Sequence, residues 1–206
     1  MRSDGPVRWI AATTLGGAVA VVVSTVLVGS AGRPLSVVAG GAVVVLLFGA
    51  VIGVLLGAAQ LLALPRGAGP WPAWILATTV GAALGFELAA AVGELLGNVI
   101  DPTISVAVGG GIIQDASGAV VGLGLGCAQW LVLRRSVPGS RRWIVASVIG
   151  AGLGYGAAIG ALELLTVPIL KANPGLSFGA ILGLFIGVAQ GLVLWPRRRT
   201  PVPAGP

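Results

Sequence analysis

The amino-acid sequence predicts an all-α transmembrane protein, a bundle of six helices built from three parallel two-helix repeats with glycine-rich packing faces. Composition indicates the membrane, because 56% of the 206 residues are hydrophobic, only 9% are charged and the mean hydropathy is +1.03. A soluble domain carries about a quarter charged residues, so this chain has too few charges to cover a water-facing surface. A motif that occurs three times and an uneven distribution of cations predict the repeat and the topology.

Six apolar runs are each long enough to cross a bilayer, which takes about 20 residues. The second run exceeds one crossing, which fits a tilted helix or a helix that begins outside the hydrocarbon. The first run follows a basic start like that of a signal peptide, but it shares a motif with the third and fifth runs and is therefore assigned to the bundle. The runs are 9–28, 37–64, 74–96, 116–133, 143–167 and 176–195.

Two motifs alternate along these runs. Each odd-numbered run opens with W-I-x-A-[TS]-x-x-G, at Trp9, Trp74 and Trp143, and each even-numbered run carries G-A-x-x-G-x-x-x-G-x-A-Q-x-L-x-L. The chain is therefore one two-helix unit written three times, which indicates a single membrane domain over residues 1–199 and a bundle with approximate three-fold symmetry. The units are 1–66, 67–135 and 136–199, and a Pro-rich tail, 200–206, is predicted to be disordered.

The motif of the even-numbered runs places three glycines four residues apart, and residues at this spacing lie on one face of a helix. Between helices in lipid there is little hydrophobic driving force, and small residues stabilise the contact because they let backbones approach closely. We therefore predict that these glycines pack the helices together, with a hinge or sliding seam as the functional alternative. The nine glycines are Gly49, Gly53, Gly57, Gly118, Gly122, Gly126, Gly179, Gly183 and Gly187.

The cations are distributed unevenly about the six crossings. Ten of the twelve fall in segments that share one side, and only Arg33 and Lys171 fall on the other. The positive-inside rule therefore predicts that both termini are cytoplasmic. Because the topology accounts for the net charge of +6, this charge does not indicate binding to nucleic acid. The arginine clusters are instead expected to attract anionic lipid headgroups. The ten are Arg2, Arg8, Arg66, Arg134, Arg135, Arg141, Arg142, Arg197, Arg198 and Arg199.

A glutamine follows the last glycine of each motif by three residues, at Gln60, Gln129 and Gln190. Each lies on the glycine face, and an unpaired amide costs several kcal/mol in hydrocarbon. One interpretation is a hydrogen bond from each glutamine to the preceding helix, and the alternative is a ring of three amides around the inner mouth of a pore. Hydroxyl partners are available at matching depth at Thr13, Thr78 and Ser147.

Glu87 is the acid placed farthest inside a predicted span, near the membrane midplane. An ionisable group at this depth is costly and marks a functional-site hypothesis, here transport or proton coupling. A neutral, hydrogen-bonded structural glutamate is the alternative. The repeat does not require an acid in this slot, which Val22 and Gly156 take in the other units. Two further acids occupy equivalent slots predicted to lie at the outer interface, Glu94 and Glu163.

The residue inventory does not indicate an enzyme. The chain has no histidine and one cysteine, Cys127, so a Ser–His or Cys–His pair, a histidine-metal site and an intrachain disulfide are excluded. Glycine-rich runs such as 122–124 lie inside a span, where a phosphate-binding loop would not form. No catalytic residue, metal ligand or cofactor is therefore predicted.

The two membrane interfaces carry different features. The tryptophans of the odd runs, with Trp71 and Trp195, are predicted to form an aromatic belt on the cytoplasmic side. An outer loop is predicted over 98–115, including Asp101 and Asp115. Its short apolar piece, 103–108, is consistent with a re-entrant segment, a lid or a plain loop.

The run from Gly122 to Arg135, G-L-G-L-G-C-A-Q-W-L-V-L-R-R, resembles a group of uncharacterised bacterial membrane proteins. Their repeated hairpins end in G-x-x-Q-W-L-V-L-R, and W-I-x-A-T opens the next helix. The resemblance covers most of the chain, although Leu61 and Gly191 stand where the motif has its tryptophan. It implies the bacterial inner membrane and no particular activity.

Two functions fit these predictions, and the sequence favours the first only slightly. The first is a small channel or transporter with a path along the pseudo-three-fold axis, based on Glu87, the glutamines and the outer acids. The second is a non-transporting scaffold or accessory subunit held by glycine-mediated packing. The lipid bilayer is the predicted environment in both cases, and assembly into a homo-oligomer stays open.

Overall fold

The computed structural model of the chain describes residues 4–64, 71–99, 111–164 and 173–194. These residues form six α-helices, each long and apolar enough to cross a membrane. The prediction of an all-helical architecture with six helices able to span a membrane is therefore confirmed for these residues. The helices are α1 (Gly5–Ala39), α2 (Gly41–Leu61), α3 (Trp71–Val99), α4 (Gly111–Leu133), α5 (Arg142–Leu164) and α6 (Pro174–Leu194).

The helices form a closed ring in chain order. Each contacts the next along the chain, and α6 contacts α1. Neighbours run antiparallel: Gly16 near the start of α1 meets Ala59 near the end of α2, and Gly191 near the end of α6 lies beside Trp9. The start of α1 and the end of α6 therefore lie at the same end of the bundle, which we call the tryptophan end.

The structure changes two predicted boundaries. The first helix continues to Ala39 and the second begins at Gly41, with Gly40 between them at φ 83°, a conformation that favours glycine and reverses the chain. The fourth helix begins at Gly111, so Gln114 and Asp115 are helical, and the prediction that residues 111–115 belong to the outer loop is wrong. Asp101 and the apolar piece 103–108 lie outside the described residues.

Glycines occupy the helix contacts where a side chain would not fit. A Cβ at Gly49 of α2 would lie 2.8 Å from Cα of Ala83 in α3, and one at Gly81 of α3 would lie 3.0 Å from Cα of Leu125 in α4. Real Cβ atoms essentially never lie closer than 3.0 Å to another heavy atom, so these backbones approach as closely as glycine permits. Large aliphatic side chains instead cover the outside of the ring, among them Leu15, Leu76 and Leu153.

Candidate functional site

Three tryptophans close the axis of the ring at the tryptophan end. Trp9, Trp74 and Trp143 are all 0% exposed, and each indole ring contacts the other two edge to face, with centroids 5.5–6.1 Å apart. The predicted interfacial belt is therefore wrong for these three residues, because α1, α3 and α5 turn them inward rather than toward lipid headgroups. Trp130, in contrast, is partly exposed and carries the Arg134 guanidinium over its ring. The side chains of Trp71 and Trp195 lie outside the described residues.

The three glutamines meet in one layer beside the tryptophans. Gln129 Nε2 donates to Gln60 Oε1 at 3.0 Å and to Thr78 Oγ1 at 3.1 Å. Gln190 Nε2 donates to Gln129 Oε1 at 3.3 Å and to Ser147 Oγ at 2.9 Å. The glutamines are at most 1% exposed. Gln129 and Gln190 thus join neighbouring helices through the predicted hydroxyls Thr78 and Ser147, and the glutamines also bond to one another in a buried layer rather than a water-lined mouth. The predicted bond between Gln60 and Thr13 is not made.

Gln129 is the centre of this layer. Besides the bonds above, its Oε1 accepts a hydrogen bond from Trp143 Nε1 at 3.0 Å. The amide therefore takes part in four side-chain hydrogen bonds, two as donor and two as acceptor. Both N–H donors and both oxygen lone pairs of this amide are used, so it has little hydrogen-bonding capacity left for a passing ion or solute.

The remaining polar atoms of the layer lie around α1. Among the buried atoms that have no hydrogen-bond partner in the described part of the chain, five belong to this layer: Trp9 Nε1, Thr13 Oγ1, Gln60 Nε2, Trp74 Nε1 and Gln190 Oε1. If the layer were fully symmetric, these atoms would give Gln60 and Gln190 the same four side-chain hydrogen bonds that Gln129 has. In this layer α1 is therefore held by packing, whereas α4 is held by hydrogen bonds.

Above the polar layer the axis is apolar. The even-numbered helices contribute two layers of aliphatic side chains, first Leu56, Leu125 and Ile186, then Ile52, Val121 and Leu182. A cavity of about 20 Å³ lies among them and is lined by aliphatic, aromatic and glycine residues. A buried water needs polar partners as well as about 10–15 Å³, so this space does not provide a hydrated path.

Glu87 does not converge on the glutamine layer. It lies nine residues beyond Thr78 in α3, which is about 14 Å along the helix. Gly53 packs against Thr79 and Gly49 against Ala83, so the next turn places Glu87 opposite Val45, in the contact between α2 and α3. The side chain is half-buried, and its buried Oε2 has no hydrogen-bond partner among the described residues.

Asp115 is the polar residue that sequence reasoning misplaced. Its Oδ1 fills the space where Gly156 of α5 would carry a Cβ. Gly156 of α5 has the same position in its repeat unit as Glu87 has in α3. The carboxylates of Asp115 and Glu87 therefore lie at equivalent helix contacts. A signal was present in the sequence, because Leu46 and Leu176 take the slot of Asp115 in the other units. Of the outer acids, Glu94 is exposed, and the side chain of Glu163 lies outside the described residues.

The fold and the sequestered polar layer define a multi-pass integral membrane protein. Its outward surface is aliphatic, and its buried glutamines bond to one another and to hydroxyls inside the ring. Comparison with known proteins finds no matching family model, no similar curated protein and no similar solved structure. The geometry of the side chains is therefore what bears on function.

We expect Gln129→Leu to cost more stability than Gln60→Leu, because Gln129 takes part in four hydrogen bonds and Gln60 in one. Interhelical hydrogen bonds in membranes contribute about 0.5–2 kcal/mol, so the first variant should lie at or above the top of this range and the second near the bottom. Thermal unfolding in one detergent compares them. Equal losses, or a double variant whose loss is the sum of the two, would argue against a shared layer.

Proposed function

We propose that the protein is a non-transporting scaffold or accessory subunit of the bacterial inner membrane. The observation that carries this proposal is the closed axis, in which three mutually contacting tryptophans lie next to the buried glutamine layer. Conduction requires a polar or hydrated route along which a solute is bound and released. The bundle instead offers an apolar axis and amides that are bonded to protein, which suits a rigid structural part.

The same proposal includes three parallel hairpins related by a pseudo-three-fold axis and held by glycine packing. Support comes from corresponding motif residues that make corresponding contacts. The glycine of each odd-helix motif faces the alanine that precedes the glutamine in the next helix. The three glycines of each even helix face the first helix of the following unit, and those of α6 face α1. The glycine–alanine pairs are Gly16 with Ala59, Gly81 with Ala128 and Gly150 with Ala189.

A channel or transporter is the second candidate, and one observation favours it. The buried Oε2 of Glu87 has no hydrogen-bond partner in the described part of the chain, and an unpaired acid inside a span is typical of proton and ion pathways. A route through Glu87 would follow the contact between α2 and α3, away from the glutamine layer. A route along the axis would require the three tryptophans to separate.

Flux measurements distinguish the two candidates. In proteoliposomes tested over a panel of ions and small solutes, we expect no flux above that of protein-free vesicles, because the axis is closed. Flux that Glu87→Gln abolishes in a folded protein would establish the second candidate instead. A Glu94→Gln variant, altered at an exposed acid on the same helix, is the matched control.

We also propose that the tryptophan end faces the cytoplasm. The arginines whose side chains are described there are exposed, and this charge would meet the anionic headgroups of the inner leaflet. They are Arg8, Arg134, Arg135, Arg141 and Arg142.

Reporter fusions test this orientation. A reporter that is active only in the cytoplasm should be active when it is fused after residue 206 and inactive when it is inserted at 104. The reverse pattern would invert the proposed topology, and activity at both positions would contradict six crossings.

A further inference from the structure

We infer that the contact between α2 and α3 binds a transmembrane helix of a partner protein, one that carries a basic side chain at mid-membrane depth to pair with Glu87. The inference rests on the proposed scaffold function and names the partner that such a scaffold would hold. Glu87 supplies the reason, since the side chain is half-buried and its buried Oε2 has no hydrogen-bond partner among the described residues. Its sequence neighbours Leu84 and Leu88 are exposed, so the accessible part of the side chain adjoins the lipid-facing surface of α3.

The described part of the chain supplies no cation near this carboxylate. The arginines with described side chains all lie at the tryptophan end, and Glu87 lies thirteen residues beyond Trp74, about 20 Å along α3. A carboxyl group in hydrocarbon is costly without a hydrogen-bonding or charged partner. A cation on a neighbouring helix would provide that partner in a medium where charge pairing is strong.

The surface beside Glu87 suits a close helix contact. Ala90 and Ala91, on the next turn of α3, are exposed, and small residues let another helix backbone approach. Glu94, seven residues from Glu87 and therefore on the same face, extends the acidic strip toward the outer end of the helix. Leu84 and Leu88 flank the strip as exposed aliphatic contacts.

The equivalent contacts around the ring differ from this one. Between α4 and α5 the acid is Asp115, whose carboxylate is seated over Gly156. Between α6 and α1 the corresponding residues are Leu176 and Val22, which offer no charge. Of these acids, Glu87 is the one with a buried carboxylate oxygen that has no hydrogen-bond partner among the described residues, so we expect the partner helix at the contact between α2 and α3.

A basic partner fits better than a second copy of this chain. A second copy would bring another Glu87 to the contact, and its described cations lie at the tryptophan end, far from that depth. Two carboxylates at one contact repel each other unless they are protonated. A helix with arginine or lysine supplies opposite charge and several donors at once.

The test uses the full chain with a fluorophore fused at its C-terminus, reconstituted in bilayers with a labelled single-span leucine–alanine peptide. One peptide carries a central arginine, and its control carries leucine at that position. We expect energy transfer to report association about tenfold tighter for the arginine peptide, a change within reach of one interhelical polar contact. Glu87→Gln should abolish this preference, whereas Asp4→Asn, altered at an exposed acid at the tryptophan end, should retain it.

Ala90→Phe provides a second test that leaves the carboxylate in place. Because Ala90 is exposed to lipid, the added ring should not disturb the bundle, but it should weaken binding of the arginine peptide by blocking close approach. Equal binding of the two peptides to the unaltered chain, or a preference that survives both Glu87→Gln and Ala90→Phe, would overturn the inference. So would Glu87-dependent energy transfer between two copies without any preference for arginine. Glu87-dependent flux in peptide-free vesicles would instead overturn the scaffold function itself.

Discussion

Gly122→Ala is expected to destabilise the bundle, although alanine is the better helix former. The new Cβ would lie 2.7 Å from the carbonyl carbon of Ser147 and 2.8 Å from Cα of Val148, both backbone atoms of α5. Backbone atoms cannot rotate away as a flexible side chain does, so α4 and α5 must separate. Overpacking in a dense interior costs about 1–3 kcal/mol, and we expect Gly122→Ala at the upper end of this range. Thermal unfolding of the detergent-solubilised protein measures the loss.

Gly160→Ala is the matched control for that prediction. Gly160 also lies within a helix, but a Cβ there meets no atom within 4 Å. The same substitution should therefore leave the unfolding temperature unchanged or raise it slightly, since alanine in a helix is favoured over glycine by about 1 kcal/mol. If both variants lost the same stability, close packing at Gly122 would not be the cause.

Trp143→Ala is expected to have the largest effect of any single truncation in the ring. Trp143 is 0% exposed, contacts both Trp9 and Trp74, and donates a hydrogen bond to Gln129. Removing the ring leaves a cavity and withdraws one donor from a buried amide. Truncation of a buried tryptophan typically costs about 3–5 kcal/mol, and the polar loss should place this variant at the top of that range.

Trp130→Ala is the control that shows whether the loss of stability depends on burial at the axis or follows the removal of any tryptophan. Trp130 is partly exposed, and its ring interacts with the Arg134 guanidinium, whose centre lies 5.6 Å from the ring centroid. An exposed cation–π contact contributes about 0.5–1 kcal/mol, so the control should unfold close to the unaltered protein. A Trp130→Ala loss as large as that of Trp143→Ala would show that burial at the axis does not determine the cost.

Helix number and type were predictable because they depend on local composition. Runs of about 20 apolar residues leave few alternatives in a chain with 9% charged residues. The depth of the glutamines was predictable for the same reason, since Gln129 and Thr78 each lie one turn from the same membrane face. The orientation of Trp9, Trp74 and Trp143 was not, because an interfacial tryptophan and an axial one share the same depth and differ only in helix rotation.

The acids were the hardest residues to place from the sequence. Asp115 follows a glycine-rich stretch that favours a loop, and its contacts with Gly152 and Gly156 place it against α5. The direction of Glu87 depends on how α2 packs against α3, which no local pattern specifies. The extension of α1 to Ala39 likewise depends on Gly40, whose positive φ allows a chain reversal without a longer loop.

The contact between α6 and α1 makes the order of the helices cyclic rather than linear. Gly179 and Gly183 meet Gly17 and Thr13 as closely as any pair joined in sequence, and the start of α1 lies beside the end of α6. No helix in such a ring is first in a structural sense. A circularly permuted gene that begins at the second or third unit would therefore encode the same set of neighbours, and only the position of the break would differ.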